Sequence, residues 1–563
     1  MSASSVDVVK VSEAAASESR PKRDLKFWLI IVSLCVSLFC SALDFTGVAT
    51  ALPTIVHDLN GADFAWVGTS YAISATALLP FNGGLSEIFG RRLMMLITLA
   101  LFALGSALCG AAQSMEWLIA ARVVQGLGGG GLISVPNIIV SDLVPLHERG
   151  AFVSILGLSW ALASALGPLI GGALANAGQW RWFFYMNLPI SGLAFVAVFI
   201  FVKLPIPSGT LQEKLARIDW GGNAIVVAST TSVVIGLTWG GVNFAWSSFH
   251  VLVPLILGAV GFVAFLLYEG FVPKRPVVAW SLLNNITSIS GYLQTFLHPI
   301  ITVACIYYLA TYYQACKDAS AMRSAVLILT LALVSTPALI TMGLSVNKLQ
   351  VYRPQLWLAW VVYLAGIGSL IAVDADSHVA LPVGLTCLVA FGSGIIYGGT
   401  FYPILSPLPV TENAYAISFL YFCRSFAGVW GIAIGGAILQ NQLAKKLPAE
   451  FIANIQAQTG SASVELTYSV IPLIRDLPEP LKSEVRHAFG ESISLIWKVM
   501  TAICGAGFLV SLLMRDVPMH TKTDQRWALE EMNRNTSSLE QADPDLESPS
   551  KEMSSPTSTD HLK

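Results

Sequence analysis

Charge is what this sequence has least of: Asp, Glu, Lys and Arg make up only 12% of its 563 residues, while 55% are hydrophobic and the mean hydropathy is +0.67. So little charge cannot cover the water-facing surface of a soluble protein this large, which leaves a polytopic membrane protein. No GxxxxGK[ST] pattern occurs, so ATP hydrolysis on this chain is excluded as an energy source. No nucleophile elbow, His-rich cluster or paired-acid motif appears, so neither an enzyme nor a bound cofactor or metal is expected. The net charge of −2 comes with no basic cluster, which sets aside a nucleic-acid partner. The cysteines lie in or at the ends of apolar runs without CxxC spacing and read as small packing residues. Residues 1–24 lack the apolar core of a cleavable signal.

What the chain has instead is long apolar runs. A bilayer span needs about 20 mostly apolar residues, and such runs fall at 27–52, 64–82, 93–112, 117–141, 151–174, 184–203, 220–240, 250–271, 287–313, 324–345, 355–373, 380–402, 418–440 and 491–514. They predict about fourteen membrane helices and an all-α fold. With a cytoplasmic N-terminus, the inside loops hold Lys22, Arg23, Lys26, Arg91, Arg92, Arg149, Lys203, Lys214, Arg217, Lys274, Arg275, Lys348, Arg353 and Arg515, and the short outside loops only Arg181, Lys317 and Arg323. That bias places both ends in the cytoplasm. The sequons at Asn285 and Asn535 then face inward and are expected to stay unglycosylated. Residues 1–26 and 515–563 read as disordered cytoplasmic tails, and 441–490 as a folded extracellular loop with amphipathic helix.

Two glycine patterns of equal spacing, Gly167-Pro168-Leu169-Ile170-Gly171-Gly172-Ala173 and Gly431-Ile432-Ala433-Ile434-Gly435-Gly436-Ala437, sit in separate apolar runs. Glycines three or four apart clear one helix face for close approach of a neighbour. The repetition suggests two related halves around a central path, the organisation of a transporter. The run Gly126-Leu127-Gly128-Gly129-Gly130-Gly131 follows no strand, and helix packing explains it better than a nucleotide loop.

Asp44 is a carboxylate about eight residues, roughly 12 Å at the helical rise, from the outer end of the first run. A buried acid is costly to keep ionised, so it suits taking up and releasing a proton; a structural acid paired with Thr46 is the alternative. Arg122 lies roughly 7 Å inside the fourth run, a level at which it can pair with Asp44. Its guanidinium cannot give up a proton, so it would tune the acid and respond to it. Gln125, one turn on, would share this site or make a plain interhelical hydrogen bond.

Gly83-Gly84-Leu85-Ser86-Glu87-Ile88-Phe89-Gly90-Arg91-Arg92, between the second and third runs, resembles the GxLxDxxGRR loop of the major facilitator superfamily, with Glu87 for the usual Asp and Ile88 where a base is common. Leu43-Asp44-Phe45-Thr46 with Ala51-Leu52-Pro53 resembles the first-span signature of the drug:proton antiporters, departing from it at Gly47 and Ala49. Arg122-Val123-Val124-Gln125-Gly126 resembles their fourth-span RxxQG pattern, and Gly157 with Gly167-Pro168-Leu169-Ile170-Gly171-Gly172 their fifth-span antiporter motif. Trp180-Arg181-Trp182-Phe183-Phe184-Tyr185-Met186-Asn187-Leu188-Pro189 resembles the entry to the sixth span in the fourteen-span, fungal-type branch. The resemblance covers about 27–515. A weaker echo of the loop, Gly343-Leu344-Ser345 to Tyr352-Arg353-Pro354, lacks the acid.

The resemblance implies two six-helix bundles, 27–203 and 285–514, joined by a linker at 204–284 with two extra helices, and a substrate site between them. It implies a cytoplasmic gate of Gly83, Glu87, Gly90, Arg91 and Arg92 closing near Arg424, though Arg91 and Arg92 would also serve as positive-inside anchors. Gly157, Gly167, Pro168, Gly171 and Gly172 would form the antiporter helix, with Pro168 kinking it; packing alone would explain the same residues. Tyr71, Gln125, Trp160, His298, Tyr307, Tyr308 and Tyr397 are candidate cavity residues for an amphipathic solute, with packing as the alternative for the aromatics and a structural role beside Pro299 for His298.

The function expected is proton-coupled export of small amphipathic organic compounds by a monomer, most simply from the plasma membrane, with the vacuolar membrane as the other possibility. The rivals are a proton-coupled importer of iron chelates or amino acids and a nutrient sensor without flux.

Overall fold

The computed structural model describes residues 23–59, 65–241, 244–273, 276–452, 471–475, 477–520 and 523–527. Most of the expected N-terminal tail, the middle of the 441–490 segment, the tail beyond 527 and the sequon at Asn535 lie outside the described residues.

The apolar runs are helices throughout, because only a helix satisfies every backbone N–H and C=O within its own span where lipid offers no partner. In chain order they are α1 (Leu25–Leu59), α2 (Ala65–Phe89), α3 (Arg91–Gly110), α4 (Met115–Leu143), α5 (Leu146–Asn176), α6 (Asn187–Phe201), α7 (Trp220–Trp239), α8 (Phe249–Phe271), α9 (Ile286–Lys317), α10 (Ala321–Leu349), α11 (Arg353–Ser369), α12 (Ala380–Gly399), α13 (Asn413–Lys446) and α14 (Leu481–Ser511). By length and composition, 13 described stretches are fit to cross a membrane. The helix outside that set, α2, carries buried Ser70, Ser74, Thr76, Asn82 and Ser86 and packs against α4 and α13, so protein rather than lipid covers its polar face.

Polar side chains mark where helices start. Ser114 accepts from Trp117 N (3.2 Å) ahead of α4, Ser320 from Arg323 N (3.2 Å) ahead of α10, and Asn285, the other sequon, from Thr287 N (2.8 Å) ahead of α9. Each satisfies a donor that the first helical turn leaves free. Between α2 and α3 stands Gly90 alone, at φ 95°, a conformation that glycine adopts without strain.

The two glycine patterns do the same job in two places. A Cβ on Gly167 would meet Leu43 O at 2.9 Å and one on Gly171 would meet Thr50 Oγ1 at 2.7 Å, so α5 lies directly against α1. Gly431 and Gly435 bring α13 equally close to Ile300 and Tyr308 of α9. The fifth helix of the first six thus packs on the first, and the fifth of the last six on its own first. Gly172 has open space beside it and Gly157 faces Leu339 of α10, so these two take no part in the α1 contact.

Three expectations need correction. First, α1 continues to Leu59, well past 52, which sets Asp44 near the middle of the helix rather than two turns from its end. Second, α14 begins at Leu481, because Leu481, Val485 and Phe489 bury one face ahead of the apolar run. Third, the C-terminal tail is not disordered throughout: Gln525–Trp527 forms a short 3-10 turn with Trp527 buried against Arg91, which gives this otherwise polar stretch a docking partner.

Candidate functional site

Asp44 is fully buried in the first six helices, and its carboxylate is surrounded by donors. Arg122 Nη1 donates to Asp44 Oδ2, while Gln125 Nε2 (2.9 Å) and Asn187 Nδ2 (3.2 Å) donate to Oδ1. Arg122 and Gln125 are three apart on α4 and so share a face, and Arg122 Nη1 also reaches Gln125 Oε1 at 2.6 Å. The guanidinium is anchored on its other edge by Val67 O (Nε, 3.0 Å) and lies under the Tyr71 ring at 4.4 Å. Tyr71 OH in turn pairs with Ser41 Oγ at 2.9 Å. Thr46, the alternative partner for the acid, donates to Ala42 O instead (2.8 Å).

Glycines make this crowding possible. Gly105 of α3 leaves the space that Gln125 fills, Gly129 faces the Tyr71 hydroxyl, Gly128 faces Thr98 and Phe102 of α3, and Gly130 faces Ala75 of α2. The glycine run is a helix-packing device that lets α4 sit between two neighbours, which settles its reading against a nucleotide loop. An ion pair taken out of water needs all its hydrogen-bond capacity met, and here four elements contribute.

Phe45, next to the acid, is 50% exposed, with its ring centroid 6.2 Å from that of Tyr71 and 6.4 Å from that of half-buried Trp160. In the last six helices, His298 Nε2 pairs with Ser393 Oγ (2.8 Å) and Thr302 Oγ1 (3.1 Å), and Thr302 with Tyr363 OH (2.9 Å). The Ser393 and Thr302 hydroxyls both meet the same ring nitrogen of His298, Nε2. Tyr307 is 47% exposed. Tyr308, by contrast, is fully buried against the α13 glycines and donates to Ile432 O at 2.5 Å, the packing alternative for this aromatic.

We call the end of the bundle where α1 begins and α14 finishes the tail end. There Arg91 donates to Glu87 Oε1 (2.6 Å, Nη2) and to Asp142 Oδ2 (2.9 Å, Nε). Arg92 stands apart, over the Phe199 ring at 4.9 Å and bonded to Phe199 O at 2.5 Å. Arg424 bonds to none of Glu87, Arg91 and Arg92. It lies about three turns inside α13, where its guanidinium donates to Tyr397 O and to Thr400 Oγ1 (2.9 Å) and stacks on the Tyr397 ring at 3.8 Å. What meets the loop is the start of α13: a Cβ on Gly83 would lie 2.6 Å from Ala414 O. The matching seam joins α5 to α10, where a Cβ on Gly343 would lie 2.6 Å from Gly150 C and Ser154 Oγ donates to Leu339 O at 3.2 Å. Thr76 of α2 and Ser425 of α13 pair at 2.5 Å, farther from the tail end.

These are joints between the first and last six helices, and the buried acid lies within the first six. The major facilitator superfamily model matches residues 34–432. The chain belongs to the major facilitator superfamily. Among curated relatives it is similar to the MFS-type efflux pump LUC4 of Fusarium sp (36% identical, 94% of each chain), the efflux pump FUS6 of Gibberella moniliformis (35%, 94% of this chain and 95% of the relative) and the MFS-type transporter pydD of Acremonium sp (37%, 91% and 90%). In fold it is similar to the crystal structure of the human organic anion transporter MFSD10 (TM-score 0.53, 14% identical, 80% of this chain and 99% of that one) and to the proton:xylose symporter XylE (TM-score 0.53, 12% identical, 90% and 98%). As a superfamily member it is a multi-pass membrane protein.

Sequence reasoning missed Asn187, Asp142 and Phe45 as participants. Asn187 had a signal in its place after the aromatic run entering α6, and Phe45 in its adjacency to Asp44. Asp142 had only its position as an acid near the end of an apolar helix.

Proposed function

We propose that the chain is a secondary transporter that exports small amphipathic organic compounds in exchange for protons, by alternating access. The observation that carries the coupling role is the Asp44 site: one carboxylate, wholly buried, whose two oxygens take donors from Arg122, Gln125 and Asn187. Protonating Asp44 removes the charge that holds Arg122, so proton uptake and a rearrangement of α1 against α4 become one event. Arg122 keeps its charge throughout and reports the state of the acid rather than carrying the proton.

Export, rather than import, is supported by the names of the relatives, which are efflux pumps across nearly the whole chain. Phe45, Tyr71 and Trp160 would offer an aromatic wall beside the acid, with Tyr307 facing the solute from the other half. The glycine seams at Gly83 and Gly343 would be the cytoplasmic closure, and the first and last six helices the two moving bodies, with α7 and α8 inserted between them. We place both termini in the cytoplasm, the protein in the plasma membrane and the working unit as a monomer.

The test is accumulation of a panel of fluorescent amphipathic compounds in cells expressing the chain or Asp44→Asn, with and without a protonophore. Lower accumulation that needs both Asp44 and the proton gradient is expected. Normal export by Asp44→Asn would overturn the role of the acid, and higher accumulation in expressing cells would overturn the direction.

A further inference from the structure

We propose that the C-terminal segment Asp524–Trp527 is a staple across the tail-end seam, and that its release is a step in opening that side. Trp527 is 4% exposed and its indole lies over the Arg91 guanidinium at 3.6 Å. Arg91 spends its edges on Glu87 and Asp142, which leaves its face for an aromatic ring. Arg526 reaches in two directions at once: Nη1 lies 3.8 Å from Glu87 Oε2 on α2, and Nη2 donates to Thr411 O (3.5 Å) in the turn leading into α13. Asp524, itself 4% exposed, accepts from Arg526 Nε (3.0 Å) and Nη2 (2.6 Å) and fixes the guanidinium in that bridging pose.

The segment therefore touches both sides of the joint where Gly83 meets Ala414. Separating α2 from α13 obliges Arg526 to leave either Glu87 or Thr411, while Trp527 stays with Arg91 or comes away. A free tail would have no reason to bury a tryptophan on the one arginine that organises the loop. The staple stabilises the closed tail end and raises the fraction of molecules in that state. It rests on the alternating-access reading only for the opening step.

Ser418, fully buried beside Gly83, supplies the probe position. Ser418→Cys in the full-length chain is labelled with a membrane-impermeant maleimide from the tail-end side, with the unsubstituted parent giving the background from native cysteines. Adding Trp527→Ala is expected to speed labelling roughly thirtyfold, the shift that loss of one desolvated cation–π contact produces. Arg526→Ala, at a half-exposed side chain, is expected to give a smaller increase. Unchanged labelling in both would overturn the staple. The readout needs no solute and no direction of flux, so its failure is distinct from failure of Asp44-dependent export.

Discussion

Gly150 of α5 and Gly343 of α10 face each other so closely that a Cβ on Gly343 would touch the Gly150 backbone at 2.6 and 2.8 Å and Ala151 N at 2.9 Å. The neighbours are backbone atoms, which cannot rotate out of the way.

Gly343→Val is therefore expected to hold the α5–α10 seam apart and lower export at least about fivefold, since overpacking a tight contact costs roughly 1–3 kcal/mol. Protein abundance in the membrane should stay near normal, because the clash arises only when the seam closes. Efflux per molecule, alongside immunoblotting of the membrane fraction, measures both.

Arg122→Lys keeps the charge but loses the fork that reaches Asp44, Gln125 and Val67 together. Coupled export is expected to fall roughly a hundredfold, in line with the few kcal/mol lost when a buried pair is disrupted. Near-normal proton-driven export by this variant would show that the forked geometry is dispensable.

Gly435→Ala places a methyl against the Tyr308 ring. A fall in thermal midpoint is expected, from about 1–3 kcal/mol of overpacking, and Tyr308→Leu in the same chain is expected to recover part of it. A Tyr308 that lined the solute path would instead change transport while leaving the midpoint of the double variant as low as that of Gly435→Ala.

Arg424→Ala loses Tyr397 O, Thr400 and the Tyr397 ring, all within the last six helices. Export is expected to drop while tail-end labelling of Ser418→Cys stays unchanged, since Arg424 makes no contact with Glu87 or Arg91. Faster labelling would return Arg424 to the gate.

The helices, their number and the pairing of Asp44 with Arg122 and Gln125 were legible in the sequence, because apolar length and the expense of a buried charge act locally and within one helix face. Asn187 was not legible as a partner: its amide reaches Asp44 only because α6 starts at that residue after the break at Met186, a tertiary placement that composition does not encode. Arg424 misled for the opposite reason. An arginine near the start of a span reads as a gate residue, yet it sits three turns deep because the tyrosine face and carbonyl of Tyr397 replace the water it would otherwise need. Tyr307 and Tyr308 are adjacent in sequence and equally aromatic; a helix turns about 100° per residue, so one is open and the other is locked against glycine.

The seam between α1 and α5 has one further consequence. Leu43, Thr46, Gly47 and Thr50, the α1 positions that touch Gly167 and Gly171, bracket Asp44 within about two turns, and Leu43 and Gly47 offer α5 main chain while Thr46 and Thr50 offer short hydroxyls. Main chain lacks the rotameric slack by which side chains absorb small displacements. Under the coupling proposed for Asp44, the carboxylate and the bearing surface ride on one helix, so a shift of α1 when the acid changes charge would be passed directly to α5 and, through Gly150, to α10.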